Sequence, residues 1–369
     1  MALTRSQEVW KQMRYFVAID HRRHKLLARL KILIGLVLVI AFVTPLRNLL
    51  VPGFPRILED INTFKLIRMY LGDLVFYVDR SPYDGSCEMV HRRLAKVRMP
   101  TLDEMPVYEM SDWVRERKRL STVLGPEELD TMDKFKPSMN NLEQKQIMYA
   151  MLSATQAFTA FNISYFIRGG SLLGYWRHHG RMPWDEDVDI LVDSGKWPLA
   201  KQVLSCLPDL QLNMGADYMW KLFHKDAQLW RDETFIKFPY IDIFLYKADS
   251  GHVWPLTIWM KLVTMPAEWT LPTIKGVFEG WPVNIPREPI KILERLYGRV
   301  STDCYSQIFL RRQRHLIPRK EWTHIPCSLL QGIYPHVVRR IEKGVVVEDR
   351  MLGSKFLSTF NATYHGTLG

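Results

Sequence analysis

Four acidic residues, Asp185, Glu186, Asp187 and Asp189, close the stretch RGGSLLGYWRHHGRMPWDEDVDILVD, which runs from Arg168 to Asp193. Asp187 and Asp189 alternate with Val188, Ile190 and Val192, the period-two pattern of a strand with one buried face, so the two carboxylates point the same way. Residues two apart on a strand face are separated by about 7 Å, close enough for both side chains to converge on one or two hard cations such as Mg²⁺ or Mn²⁺. Buried together without a cation, they would repel each other and lose their hydration. A third acid, Asp242, lies in a second apolar run, FPYIDIFLY. If that run pairs with the strand of Asp187 and Asp189, Asp242 becomes the third metal ligand. Otherwise it is an edge-strand carboxylate facing water or bridged to Lys237 or Lys247.

Upstream of the acids stand groups suited to phosphate. Gly169-Gly170-Ser171 opens a segment of helical character, SLLGYWRHH, where backbone amides and the positive end of a helix dipole can meet an anion, with the serine suited to capping. Arg177, about two turns in, offers a permanent forked cation for phosphoryl oxygens, with His178 and His179 as helpers or as structural residues. Trp184, fixed by Pro183 beside the acidic strand, is either a stacking platform for a sugar or base, or part of the core.

These residues give the chain a resemblance to the LicD family, which includes bacterial phosphocholine transferases, fukutin and fukutin-related protein. The shared features are the Gly-Ser-Leu-Leu-Gly turn, the Arg-His pair and the Pro-Trp-Asp-x-Asp-x-Asp run, followed by GWPVNIPREPIKILERLYG from Gly280 to Gly298. The resemblance covers about Leu142 to Gly298. It implies an α/β (α+β) fold, a nucleotidyltransferase-like mixed sheet flanked by helices. It also implies transfer of a phospho-alcohol, of the phosphocholine or ribitol-phosphate type, from a CDP-linked donor to a glycan hydroxyl of a glycoprotein or glycolipid. Carried over residue by residue, it makes Asp187, Asp189 and Asp242 catalytic metal ligands, Gly170 and Ser171 the phosphate turn with Gly169 beside them, and Arg177 the donor-phosphate arginine. Asp185 matches the first acid of the run and either supports the ligands or joins them. Glu186 departs from the aspartate of many members. An in-line attack on the donor β-phosphorus, with Asp242 as the base, is the expected mechanism. Other readings are a nucleotidyltransferase using nucleoside triphosphates, an inactive relative serving as a scaffold or chaperone in glycan modification, and a structural calcium site.

The rest of the chain must deliver and hold this apparatus. Its 369 residues, 47% of them hydrophobic, suffice for a substantial core, and a net charge of +11 suits anionic partners. Nucleic acid is not expected, because basic runs such as RRQRHLIPRK lack any surrounding recognition motif. The uncharged run ILIGLVLVIAFVTPL, residues 32–46, reads as a membrane anchor extended by Arg29, Lys31 and Arg47, with a cleaved signal peptide and a buried helix as alternatives. Basic residues ahead of it favour a cytosolic N-terminus, hence a single-pass type II protein with its bulk in the lumen of the Golgi or endoplasmic reticulum.

The expected organisation is a cytosolic tail at 1–31, the anchor at 32–46, a stem and accessory region at 47–140, the catalytic domain at 141–300 and a C-terminal extension at 301–369. The stem is broken by prolines, yet FKLIRMYLGDLVFYV is too apolar for a solvated linker and must pack on the body or on itself. From Asn141 an asparagine-capped helix with an apolar stripe through Leu142, Ile147, Met151 and Phe158 precedes a short strand at SYFI. Asn162-Ile-Ser164 and Asn361-Ala-Thr363 are glycosylation sequons. Four cysteines permit disulfides, with Cys304–Cys327 the first pairing to try and a His/Cys metal site around His315 and His324 the rival.

Overall fold

A computed structural model describes residues 63–362, apart from 75, 217, 232, 299 and 301. The expected tail and anchor and the last residue of the second sequon lie outside these residues. Among the described residues no helix is long and apolar enough to cross a membrane. The chain divides into two units, 1–77 and 78–369. In the first, the apolar stem segment forms helix α1 (Thr63–Leu74).

The second unit begins with three short helices, α2 (Glu88–Leu94), α3 (Met110–Leu120) and α4 (Pro126–Met132). Their apolar residues Val90, Leu94, Trp113, Leu120 and Met132 are buried, so the accessory region from Val78 onward packs on the body. Cys87 at the start of α2 is bonded to Cys206, and Trp113 stacks on Tyr334 at 6.2 Å.

Helix α5 (Asn141–Ala160) follows the expected capped pattern. The Asn140 side chain accepts the Glu143 N–H at 3.0 Å, and Glu143 Oε2 accepts the Asn140 N–H at 2.9 Å, satisfying two amides that the first turn leaves without partners. Ile147, Met151 and Phe158 are buried, while Leu142 in the first turn is 55% exposed and falls off the stripe. Asn162, just past the helix, is exposed with φ +52°.

The sheet that positions the acids is mixed. It is built from β1 (Tyr165–Ile167), β2 (Asp189–Asp193), β3 (Leu210–Asn213), β4 (Met219–Leu229) and β5 (Lys237–Ala248), in the order β1-β2-β5-β4-β3, with β6 (His252–Pro255) on β5 and β7 (Met265–Pro266) on β6. Among the described residues only the central β2–β5 pair of this sheet is parallel. β5 is buried from Phe238 to Tyr246, the near-continuous apolar run of a strand covered on both faces, with α5 packed against it. Between β1 and β2 runs α6 (Gly169–His178), and between β2 and β3 runs α7 (Trp197–Ser205). The helix after the glycines starts at Gly169 with Arg168 as its N-cap, so Ser171 sits inside the first turn and does not cap it.

Beyond the sheet come α8 (Ala267–Thr270), the hairpin of β8 (Ile274–Phe278) and β9 (Trp281–Ile285), and α9 (Pro289–Tyr297), which packs on α6. The C-terminal segment carries β10 (Asp303–Tyr305), β11 (Phe309–Leu310), β12 (His315–Leu316) and β13 (His324–Pro326). β10 pairs with β13 and β11 with β12. The Cys304–Cys327 disulfide closes the base of this arm, which answers the pairing expected from the sequence and removes the His/Cys metal reading. A meander of β14 (His336–Glu342), β15 (Val345–Leu352) and β16 (Lys355–Ala362) ends the described chain. It is tied to α6 through the fully buried Glu348, which accepts from His179 Nε2 at 2.9 Å and from the Tyr175 hydroxyl at 3.1 Å.

Candidate active site

The parallel pairing of β2 with β5 sets Asp189 directly opposite Asp242. Asp187 lies just ahead of β2, not inside it, because the ladder begins with the Asp242 N–H donating to the Val188 carbonyl at 2.8 Å. Alternation along this extended segment keeps Asp187 and Asp189 on one side. One carboxylate oxygen from each of Asp187, Asp189 and Asp242 lies within 4.8 Å of the others. Three hard oxygen donors, from the segment just ahead of β2, from β2 itself and from β5, thus converge on one point, a donor set that fits Mg²⁺ or Mn²⁺. Oδ1 of Asp187 and Oδ1 of Asp189 are buried without a hydrogen-bond partner. Unpaired buried oxygens are costly, and a cation bound between them would satisfy both.

The electrostatics reflect this crowding. Burial, and then the charge of Asp187, pushes the Asp189 carboxyl well above its usual range. Burial also raises Asp187, opposed by Arg311. Asp185 is pushed up to about 7 by burial and by Asp187. Two cations answer the acids: Lys221 Nζ donates to Asp242 Oδ1 at 2.6 Å, and Arg311 donates to Asp242 Oδ2 at 2.7 Å and to Asp187 Oδ2. Both oxygens of Asp242 are therefore engaged.

The glycines are needed for the acids as much as for any ligand. Gly169 adopts φ +55°, and a Cβ there would lie 3.1 Å from Asp189 Oδ2. A Cβ on Gly170 would stand 2.7 Å from Asp185 Oδ2. The Ser171 hydroxyl accepts the Asp189 N–H at 2.8 Å, so this serine fixes the start of the acidic strand. A cavity of about 420 Å³ opens here, bounded by Gly170, Trp184, Asp185, Asp187 and Asp189 on one side and by Phe309, Arg311 and Trp322 on the other. That volume is in the range of small-molecule sites. Trp184 forms its wall while 1% exposed, its indole N–H donating to the Tyr305 carbonyl at 3.0 Å and its ring set edge-on to Phe135.

Asp185, Asp187, Asp189, Asp242, Gly169, Gly170, Ser171 and Trp184 are thus brought together. Arg177 and His178 are not. The Arg177 guanidinium is buried and donates to the carbonyls of Val300 and Asp303, which leaves it holding the chain after α9 instead of facing the acids. His178 Nδ1 donates to the Pro335 carbonyl at 2.6 Å, and burial holds its pKa down to about 3. Both border a separate, smaller cavity of about 230 Å³.

Sequence reasoning passed over Lys221 and Arg311. Lys221 had a usable signal: it is a lone charge in the apolar run MWKLFH, mirroring the lone Asp242, and the register sets the two opposite each other. Arg311 had none, since its approach depends on a long-range fold of the C-terminal arm. Arg168, buried at 6% exposure and near enough to Asp189 to lower its pKa, was also overlooked.

Residues 162–288 match the family model described as LicD/FKTN/FKRP, nucleotidyltransferase domain. No curated protein matches the chain.

Proposed function

We propose, from the premise that residues 162–288 are a domain of the LicD family, that the chain is a metal-dependent phosphotransferase of glycan modification. It moves a phospho-alcohol from a CDP-linked donor to a glycan hydroxyl. The observation that carries this reading is the convergence of the Asp187, Asp189 and Asp242 carboxylates to within 4.8 Å where β2 and β5 pair in parallel. These three residues would hold Mg²⁺ or Mn²⁺, which when bound supplies charge neutralisation for the donor pyrophosphate.

The chain's own groups do the rest. Gly169 and Gly170 keep the first turn of α6 clear of side chains beside the acids, so donor and carboxylates can share a narrow space. Arg311 and Lys221 offset the charge of the carboxylates and orient Asp242. The cavity holds the donor and excludes water while the acceptor hydroxyl attacks the β-phosphorus in line and CMP leaves. The hydroxyl proton passes to a cavity carboxylate. Asp185, which borders the cavity, is placed for this role, whereas both oxygens of Asp242 are already engaged.

The compartment belongs to the same reading. Two disulfides and an exposed Asn162 sequon support an oxidising lumen of the Golgi or endoplasmic reticulum, reached by a type II anchor at residues 32–46. The test is incubation of the full chain with CDP-choline, CDP-ribitol or CDP-glycerol, a mixed glycan acceptor and Mn²⁺, following CMP release. Acceptor-dependent release from one CDP-alcohol, abolished by chelation, is expected. Turnover of nucleoside triphosphates alone, or no metal-dependent nucleotide binding at all, would overturn the reading.

A further inference from the structure

The cation that bridges two of the acids comes from outside the matched family domain. Arg311 follows β11 in the arm between Cys304 and Cys327, and this arm supplies Tyr305, Ile308, Phe309, Trp322 and Thr323 to the cavity wall. The arm has anchors besides the three clustered aspartates: the Trp230 indole N–H donates to the Arg311 carbonyl at 2.9 Å, Arg231 donates to the Gln313 carbonyl at 2.8 Å, and Arg314 pairs with Glu233. The backbone at Arg311 is therefore held, while its guanidinium reaches across to bridge Asp187 and Asp242.

A guanidinium bridging two carboxylates of a candidate cation site occupies the position of the charge that the site is built to take. Among the described residues, two side-chain cations contact the three clustered carboxylates directly, and one of them, Lys221, lies on the same sheet opposite Asp242. Of these two, Arg311 arrives from a separate element on a long side chain. Its forked donors match phosphoryl oxygens as well as carboxylates, so the same group can serve the apo acids and a bound pyrophosphate.

We infer that Arg311 is a displaceable counter-ion: it compensates Asp187 and Asp242 when the divalent cation is absent, and it engages the donor phosphates when that cation takes its place. The first half of this role concerns the protein alone. The second half rests on the function proposed above.

The two halves predict effects of opposite sign, which a merely structural arginine would not produce. Mn²⁺ without nucleotide competes with the Arg311 guanidinium. In Arg311→Gln its affinity, read by calorimetry or electron paramagnetic resonance on the full chain at mildly alkaline pH, is expected to rise by about tenfold or more, the influence one contacting charge exerts on a carboxylate. CDP binding in saturating Mn²⁺ is expected to fall by about tenfold or more, because a charge-assisted forked contact is lost. Arg311→Lys retains the charge and should keep Mn²⁺ affinity near that of the unaltered chain while still weakening CDP. Lys320→Gln, an exposed change in the same arm outside the cavity wall, should change neither.

If Arg311→Gln binds Mn²⁺ equally or more weakly, or if neither protein binds it, the counter-ion role is wrong. Should Arg311→Gln fail to fold, Arg311→Lys decides, and CDP affinity unchanged from that of the unaltered chain would overturn the donor contact. Tighter Mn²⁺ binding in Arg311→Gln with no CDP binding by either protein supports the counter-ion role and instead refutes the CDP-dependent function.

Discussion

Gly170→Ala separates the chemistry of this site from its stability. Gly170 lies in the first turn of α6 without a positive φ, so alanine meets no backbone penalty there and, by helix propensity alone, stabilises by up to about 1 kcal/mol. The cost is local. The new Cβ would stand 2.7 Å from Asp185 Oδ2 and 3.9 Å from Met182 Cε. An ordinary contact needs about 3.5 Å, so the carboxyl must retreat by more than about half an ångström. Displacing the Asp185 carboxyl forces off-rotamer strain or overpacking, which costs about 1–3 kcal/mol. The two effects leave a net destabilisation of about 0–3 kcal/mol, a shift of a few degrees in melting temperature. Turnover should suffer far more. Asp185 neighbours Asp187 and borders the cavity, and displacements of this size in a reacting constellation cost from about tenfold to about a hundredfold. Thermal melts and CMP release on the same preparation give both numbers. Activity within about twofold of the unaltered chain, with the melt also unchanged, would refute the claim that the glycine exists to admit the carboxylate.

Three further outcomes follow from individual contacts. Arg177→Gln removes buried charged hydrogen bonds to the Val300 and Asp303 carbonyls, so urea unfolding should reveal a loss of about 2–4 kcal/mol with CDP affinity unchanged; weaker CDP binding at full stability would return Arg177 to the phosphate site. Glu348→Gln breaks a buried pairing with Arg339 at 2.7 Å and His179 at 2.9 Å, at an expected cost of about 3–5 kcal/mol in the same assay; a loss under about 1 kcal/mol would contradict it. His178 has a folded pKa near about 3 against 6.5 in the unfolded chain, so below pH 6.5 the unfolded state takes a proton that the folded state refuses. The stability His178 contributes is complete above 6.5 and declines as pH falls from 6.5 towards about 3. By about pH 5 the loss should reach roughly 2 kcal/mol, and His178→Gln should flatten the pH dependence across that window; a slope unchanged by the substitution would sink the assignment.

Much of the site was legible because its signal is local. Alternation around Asp187 and Asp189 predicted a shared face, and one acid inside the apolar run of β5 predicted a partner, which the parallel register supplies. An asparagine cap on α5 was readable for the same reason, although the capping residue is Asn140, one position before the helix begins. Long-range placement was not readable. Arg177 carries the right chemistry, but α6 turns its guanidinium towards the chain beyond α9, and nothing in the spacing of residues 168–193 records where that chain returns. Arg311 reaches the acids only because the arm closed by Cys304–Cys327 folds over the cavity. The C-terminal extension therefore takes part in a site that the local motif alone seemed to complete. Ser171 illustrates the same limit at short range: its type fitted a cap, yet the helix begins two residues earlier and the hydroxyl serves Asp189.

The most direct test is a calorimetric titration of Mn²⁺ into the full chain and into Asp187→Asn, Asp189→Asn and Asp242→Asn, with thermal melts alongside. The unaltered chain is expected to bind Mn²⁺, more tightly when CDP is present, and each variant to lose that binding. Asp189→Asn should melt no lower than the unaltered chain, because its charged carboxylate is disfavoured by burial and by Asp187. Variants that still bind Mn²⁺ as tightly as the unaltered chain would contradict the claim that these three carboxylates form a cation site.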